Sequence, residues 1–299
     1  MAQGAAADAD GSAFEERWWR SHDGLHLFAR DYAGAGGEAR LPVVCLHGLT
    51  RNSKDFEDVS PAIAGSGRRV LALDVRGRGR SDRDPNPSNY VPNVYARDAL
   101  GLLDSLGIAR AVFVGTSMGG IVTMAVAAKR ASAVSAVVFN DVGPKIAPEG
   151  VARIAAYVGQ SEEIADWAAA AEYMRRINRV AFPDYTDADW ARFAARTFRD
   201  NGGRPELDYD PKILEPLQSG NYKAARLIAW LLFRRLARRR PALLIRGELS
   251  DLVTADIAHR MKRHAPALEI ATVPGVGHAP MLSEPVAAEA LSRFLGRVE

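Results

Sequence analysis

Short apolar runs alternate along the chain with longer segments in which apolar residues recur every three or four positions. The runs at 25–31, 42–46, 69–73, 111–114, 134–139, 242–245 and 269–273 are predicted strands. Several have no polar position to turn toward water, the pattern of strands buried on both faces of a mostly parallel sheet. The helical-period segments at 95–106, 117–129, 255–264 and 285–294 predict the helices that cover such a sheet.

The alternation stops between Gly143 and Arg240, where helix-period patterns follow one another with no strand between them. Trp167, Ala170, Ala171 and Met174 show the spacing, as do Ala191, Ala194 and Ala195. Because strands resume at 242, we expect residues 144–240 to form a helical cap inserted into one core domain made of 14–143 and 241–299. Residues 1–13 are small and acidic, with no basic start and no apolar stretch, and are expected to be a disordered tail rather than a signal peptide.

The 299 residues are 47% hydrophobic and 25% charged, which excludes a disordered or fibrous protein. Cys45 is the only cysteine, so no intramolecular disulfide or cysteine-rich zinc site can be built, and a reducing, cytoplasmic setting is expected. Thirty-nine basic against 36 acidic residues leave a net charge of +3, too small to imply a nucleic-acid partner. No apolar run reaches the ~18 residues of a membrane span.

Gly115-Thr116-Ser117-Met118-Gly119-Gly120 follows a predicted strand and opens a predicted helix. A G-x-S-x-G turn in that context lifts the serine hydroxyl above the sheet, and its glycines let strand and helix approach closely. A serine needs a histidine to take its proton and a carboxylate to orient the histidine. Asp251, beyond the 242–245 strand, and His278, beyond the 269–273 strand, lie at the carboxyl ends where α/β sheets place their sites. We therefore expect Ser117, Asp251 and His278 as catalytic residues. Asp141, after the 134–139 strand, and then Glu248 are the alternative acids. His47-Gly48-Leu49 follows another strand, so the Leu49 and Met118 amides are the expected oxyanion donors. His47 itself is expected to tie backbone together rather than act as a base or ligand. His22, His26, His259 and His264 show no metal-ligand spacing, and no metal is expected.

At these residues the chain resembles the α/β-hydrolase superfamily, over nearly all of 14–299. His47-Gly48, the run Asp74-Val75-Arg76-Gly77-Arg78-Gly79-Arg80-Ser81, Ser117, Asp251 and His278 stand in the family's order. The resemblance implies an eight-stranded α/β-hydrolase sheet, a helical cap after strand six and no cofactor. A serine at the elbow argues against the dehalogenase and epoxide hydrolase branches, which use aspartate there. Leu49-Thr50-Arg51 and Ala279 depart from the usual pattern of the carbon–carbon bond hydrolases. The expected activity is hydrolysis of a small to medium hydrophobic ester or lactone. Carbon–carbon cleavage, cofactor-free perhydrolysis and a slow-turnover ligand receptor are the alternatives.

Phe56 and, from the cap aromatics, Trp167, Trp190 and Trp230 are the expected pocket residues, with Tyr157, Tyr173, Phe182 and Phe233 as further candidates. Arg76, Arg78 and Arg80, and the run Arg234, Arg235, Arg238, Arg239 and Arg240, are expected to be solvated structural residues rather than a polyanion site.

Overall fold

The computed structural model describes residues 5–8, 11, 13–36, 40–156, 163–219 and 222–299. Among the described residues nine strands form one sheet: β1 (Ala5–Ala7), β2 (Ala13–Arg20), β3 (His26–Tyr32), β4 (Val43–Leu46), β5 (Val70–Asp74), β6 (Ala111–Thr116), β7 (Val134–Asn140), β10 (Ala242–Gly247) and β11 (Glu269–Val273). Their spatial order is β1-β2-β3-β5-β4-β6-β7-β10-β11. From β5 to β11 every pairing is parallel, and β1, β2 and β3 add an antiparallel edge. The all-apolar β4 is buried at every position, as are β5 and β10, because helices cover both faces.

On one face α2 (Pro92–Ser105), α3 (Met118–Lys129) and α8 (Ala255–His264) pack through residues such as Leu102, Val122 and Met261. On the other, α1 (Ser60–Gly65) and α9 (Pro285–Arg297) pack through Ile63 and Phe294. Between β7 and β10 the chain leaves the sheet through α4 (Pro148–Ala155), α5 (Trp167–Asn178), α6 (Asp187–Thr197), the hairpin of β8 (Phe198–Asn201) with β9 (Arg204–Leu207), and α7 (Tyr222–Ala237). Helix starts here carry side-chain caps: Asp166 accepts from the Ala169 amide, and Thr186 and Asp189 form a reciprocal capping box.

Four expectations change. The tail is not wholly disordered, since Ala5–Ala7 forms β1 and raises the expected eight strands to nine. Buried Asp8 secures it by accepting from the Tyr32 hydroxyl at 2.7 Å and from Arg30. Strand β2 was not anticipated because its half-buried positions, with Phe14 and Trp19 inward, give no continuous apolar run. The insertion is not purely helical, as it contains the β8–β9 hairpin. Its last helix does not belong with the rest: Phe233 and Leu236 of α7 are buried against the sheet, with the Phe233 ring 5.8 Å from Phe139. The segment's own core is a separate cluster in α5, α6, the turn between them and β8 that includes Tyr173, Phe182, Trp190 and Phe198.

The arginine run after β5 is structural, but only Arg80 is solvated. Arg76 is fully buried, and its guanidinium reaches Asp84 at 2.5 Å, Asp98 at 2.6 Å and Asp23 at 2.8 Å. Arg78, also buried, donates to the Leu49 carbonyl at 2.9 Å and to the Tyr95 hydroxyl at 3.0 Å. Arg80 lies over the Phe28 ring and pairs with Glu16. In the second run, Arg240 donates to the Val134 and Ala131 carbonyls and Arg238 to that of His264. His22, contrary to the spacing argument, stands with ligand atoms within 4.8 Å of those of Asp23 and Asp98. Both carboxylates are already engaged by Arg76, so the group is an ion-pair cluster.

Removing a buried charge while its partners stay is costly. Arg76→Ala leaves three carboxylates around a void and is expected to lower the unfolding free energy by about 3–5 kcal/mol in urea titrations. A loss under ~1 kcal/mol would show that Arg76 does not hold this corner together.

Candidate active site

The turn between β6 and α3 sets the site. Ser117 sits at φ 51°, ψ −115°, a left-handed backbone that non-glycine residues adopt only where the surroundings impose it. Those surroundings are tight. A Cβ on Gly119 would stand 2.0 Å from the Leu46 carbonyl oxygen, and one on Gly115 would stand 2.5 Å from the Gly119 backbone. With no room to relax, the Ser117 hydroxyl projects from the sheet's carboxyl edge.

His278, in the loop after β11, faces it. Its Nε2 is 3.0 Å from Ser117 Oγ, and its Nδ1 is 2.7 Å from Asp141 Oδ2. The carboxylate on the histidine is therefore that of Asp141, not Asp251. Asp141 follows β7 directly and takes φ 50°, a conformation that Asp tolerates better than most residues. It is fully buried, and its carboxylate is satisfied: Oδ2 accepts from Ser250 Oγ at 2.5 Å as well as from His278, and Oδ1 accepts from the Gly247 amide at 3.2 Å. Ser250 Oγ is held in turn by the Leu252 and Val253 amides.

Asp251 points elsewhere. Arg153 of α4 grips it with two hydrogen bonds, at 2.6 and 3.0 Å. Burial works against ionisation of Asp251, and the Arg153 guanidinium overrides it, holding the carboxyl below its ordinary range. Glu248 accepts from the Gly275 amide at 3.0 Å, tying down the loop that carries His278. The Gly-Glu-Leu-Ser-Asp segment thus braces the site without placing a carboxylate on His278. Gly247 makes room for the His278 loop, Glu248 anchors it, Ser250 holds Asp141, and Asp251 receives the cap.

His47 is fully buried. Its Nε2 accepts from the Val75 amide at 3.0 Å, so its Nδ1 carries the proton and donates to the Gly48 carbonyl at 2.7 Å. Burial lowers its pKa to about 4, keeping it neutral as a strut between the loops after β4 and β5. The Leu49 carbonyl is fixed from the other side by Arg78, and Leu49 lines the pocket. Met118 is the first residue of α3, where helix amides lack intrahelical acceptors and favour negative charge.

Above Ser117 and His278 lies a cavity of about 100 Å³ between the sheet edge and the inserted helices. Phe56, Tyr173, Met174, Ile177, Phe182 and Phe193 are part of its apolar wall, and Arg51 and Asp55 are its charged pair. Of the expected aromatics, Phe56 lines the cavity, and the three tryptophans do not. Trp167 faces a separate cleft with Trp18 and Phe28. Trp190 is 2% exposed, packed edge-on to Phe182 and Phe193 inside the cap cluster. Trp230 lies 4.7 Å from the His264 ring with Arg260 over it. Tyr173 and Phe182 line the cavity, whereas Tyr157 lies outside the described residues. Arg51, Asp55 and Phe193 had no signal of their own in the sequence. They reach the cavity because the turn after Leu49 and the end of α6 meet, a contact between residues more than 140 positions apart.

Residues 43–290 match the Alpha/beta hydrolase family. Among curated proteins, the chain is 33% identical over 267 residues to a 3-hydroxybutyrate-oligomer hydrolase of Cupriavidus necator, covering 88% of this chain and 90% of the relative. It is 30% identical over 251 residues to a 2-(acetamidomethylene)succinate hydrolase of Mesorhizobium japonicum, covering 84% and 86%. Among solved structures, an alpha/beta hydrolase from Novosphingobium aromaticivorans superposes with a TM-score of 0.88 at 43% identity, covering 95% of this chain and 99% of that one. The chain belongs to the alpha/beta hydrolase family and is a hydrolase.

Two outcomes test this geometry. Asp141→Asn should lower kcat by orders of magnitude while Asp251→Asn costs less than tenfold; the reverse ranking would return the acid to Asp251. His47 titrates near 6.5 in the unfolded chain and about 4 in the fold. Its contribution is therefore complete above pH 6.5 and is lost as the pH falls toward 4, by about 3 kcal/mol in all. The difference in unfolding free energy between wild type and His47→Asn should shrink by that order over this range, and a pH-independent difference would contradict the strut.

Proposed function

We propose that this member of the alpha/beta hydrolase family is a serine hydrolase that cleaves a short carboxylic ester through an acyl-enzyme intermediate. The observation that carries the reading is the unbroken hydrogen-bonded line from Ser117 through His278 to Asp141, opening into the cavity. Ser117 Oγ attacks the ester carbonyl while His278 Nε2 takes its proton, and Asp141 steadies the resulting imidazolium. The oxyanion is met by the Leu49 and Met118 amides. The proton on His278 then passes to the departing alkoxide, and a water activated by the same nitrogen hydrolyses the acyl-enzyme.

The cavity supports a small substrate. At ~10–15 Å³ for each water-sized group, 100 Å³ accepts roughly seven to ten non-hydrogen atoms. Helices α5 and α6 roof the cavity and act as the lid, while α7 stays with the core. The 3-hydroxybutyrate oligomer named for the Cupriavidus relative is a chain of short esters, and one 3-hydroxybutyryl unit of it fits this size. No cofactor enters these steps.

Ser117→Ala should fold normally, judged by its melting temperature, and lose on the order of 10⁴-fold or more in kcat. A panel of p-nitrophenyl esters from two to twelve carbons, the 3-hydroxybutyrate dimer, a lactone and a dienoic diketone acid tests the substrate class. Turnover should be fastest for acyl chains of two to four carbons and for the dimer. Turnover of the diketone acid alone would replace ester hydrolysis with carbon–carbon cleavage.

A further inference from the structure

The cavity holds a cation that ester hydrolysis does not need. Arg51 follows the oxyanion loop, and a Cβ placed on Gly48 would lie 3.4 Å from Arg51 Cγ and 3.8 Å from Ser117 Cβ, so its side chain sets out from beside the nucleophile. Only 12% of that side chain is exposed. Asp55 accepts from Nε at 2.9 Å and from one terminal nitrogen at 2.5 Å, Thr197 Oγ1 accepts from the other, and the Phe193 ring lies 4.2 Å beneath the guanidinium. Three of its five N–H groups are thus used among the described residues, leaving one on each terminal nitrogen. Apart from His278, the Arg51–Asp55 pair supplies the only charged side chains of the cavity wall among the described residues.

A guanidinium kept flat by an aromatic face and held at one edge by a carboxylate is preorganised for a second oxyanion at its free edge, with little rotamer entropy left to lose. We propose that Arg51 is a specificity-determining residue that binds a carboxylate on the substrate, so that the preferred ester carries a free acid group within a short chain of its scissile carbonyl. This deepens the ester-hydrolase reading and rests on it. Asp55 offsets part of the attraction and keeps the buried arginine tolerable when the cavity is empty of anion. Arg51 touches substrate only in binding and takes no part in proton transfer, so its effect belongs in KM and in the ratio between charged and neutral substrates.

The test compares the 3-hydroxybutyrate dimer as free acid with its methyl ester, two substrates alike at the internal ester bond, whose cleavage alone is scored by release of 3-hydroxybutyrate or of methyl 3-hydroxybutyrate. In wild type, kcat/KM should favour the free acid by tenfold or more, and raising the salt should increase KM for the acid but not for the methyl ester. In Arg51→Gln the preference should fall to within twofold, and Arg51→Lys should keep an intermediate one. Calorimetry in a Ser117→Ala background, with and without Arg51→Gln, reads the same ratio as Kd and separates binding from any disturbance of the oxyanion loop. Equal treatment of acid and methyl ester by wild type, or a preference that persists in Arg51→Gln, overturns the Arg51 role while leaving the ester-hydrolase reading intact. Failure of wild type to cleave either compound or any ester in the panel overturns that reading itself.

Discussion

Helix α3 approaches strand β4 so closely that no side chain fits between them. The missing Cβ of Gly119 would stand 2.0 Å from the backbone oxygen of Leu46 in β4. Backbone does not move aside as a flexible side chain does, so the contact holds the turn at Ser117 in a conformation that costs on the order of 1–3 kcal/mol. The packing of α3 against the sheet supplies that energy, and the result is a hydroxyl fixed above the carboxyl edge beside a helix amino terminus. The loops that bring His278, Asp141 and Leu49 are arranged around this point, each held by a strut: buried His47 and Arg78 under Leu49, buried Ser250 under Asp141, and exposed Glu248 against the His278 loop.

A buried carboxylate is tolerable only where donors surround it. Asp141 meets that condition with a hydroxyl, an amide and an imidazole, whereas Asp251 meets it with the Arg153 guanidinium and so is bound to the cap. The two acids lie on loops after neighbouring parallel strands, β7 and β10, and either loop can reach the histidine. Here it is the acid after β7 that does, and the residue at 250 is hydrogen-bonded to it. A serine there donates toward β7 and fills the place beside Gly247, and the acid at 251 is turned outward to α4.

That division explains what could be read from residues alone. The double-sided apolar runs of β4, β5 and β10 announce a covered parallel sheet, and the glycine spacing around Ser117 announces the elbow, because both follow from local sterics. The order of Ser117 and His278 at strand ends is legible for the same reason. The choice between Asp141 and Asp251 is not, since it depends on hydrogen bonds between residues 109 positions apart. Nor are the cavity walls: Trp190 and Tyr173 belong to helices of similar pattern, and only the packing of α5 on α6 buries one and turns the other toward Ser117. Strand β1 was missed because three alanines carry no periodic signal, and its place depends on the distant pairing of Asp8 with Arg30 and Tyr32.

The central claim is that Ser117 is made nucleophilic by His278 and Asp141, and active-site labelling tests it without knowledge of the substrate. The protein is treated with a fluorophosphonate, and the modified peptide is identified by mass spectrometry while the rate of labelling is followed. The account predicts one phosphonyl group, on Ser117, with labelling slowed by orders of magnitude in His278→Ala and Asp141→Asn but not in Asp251→Asn. Labelling at another serine, or at Ser117 with a rate indifferent to His278, would contradict it.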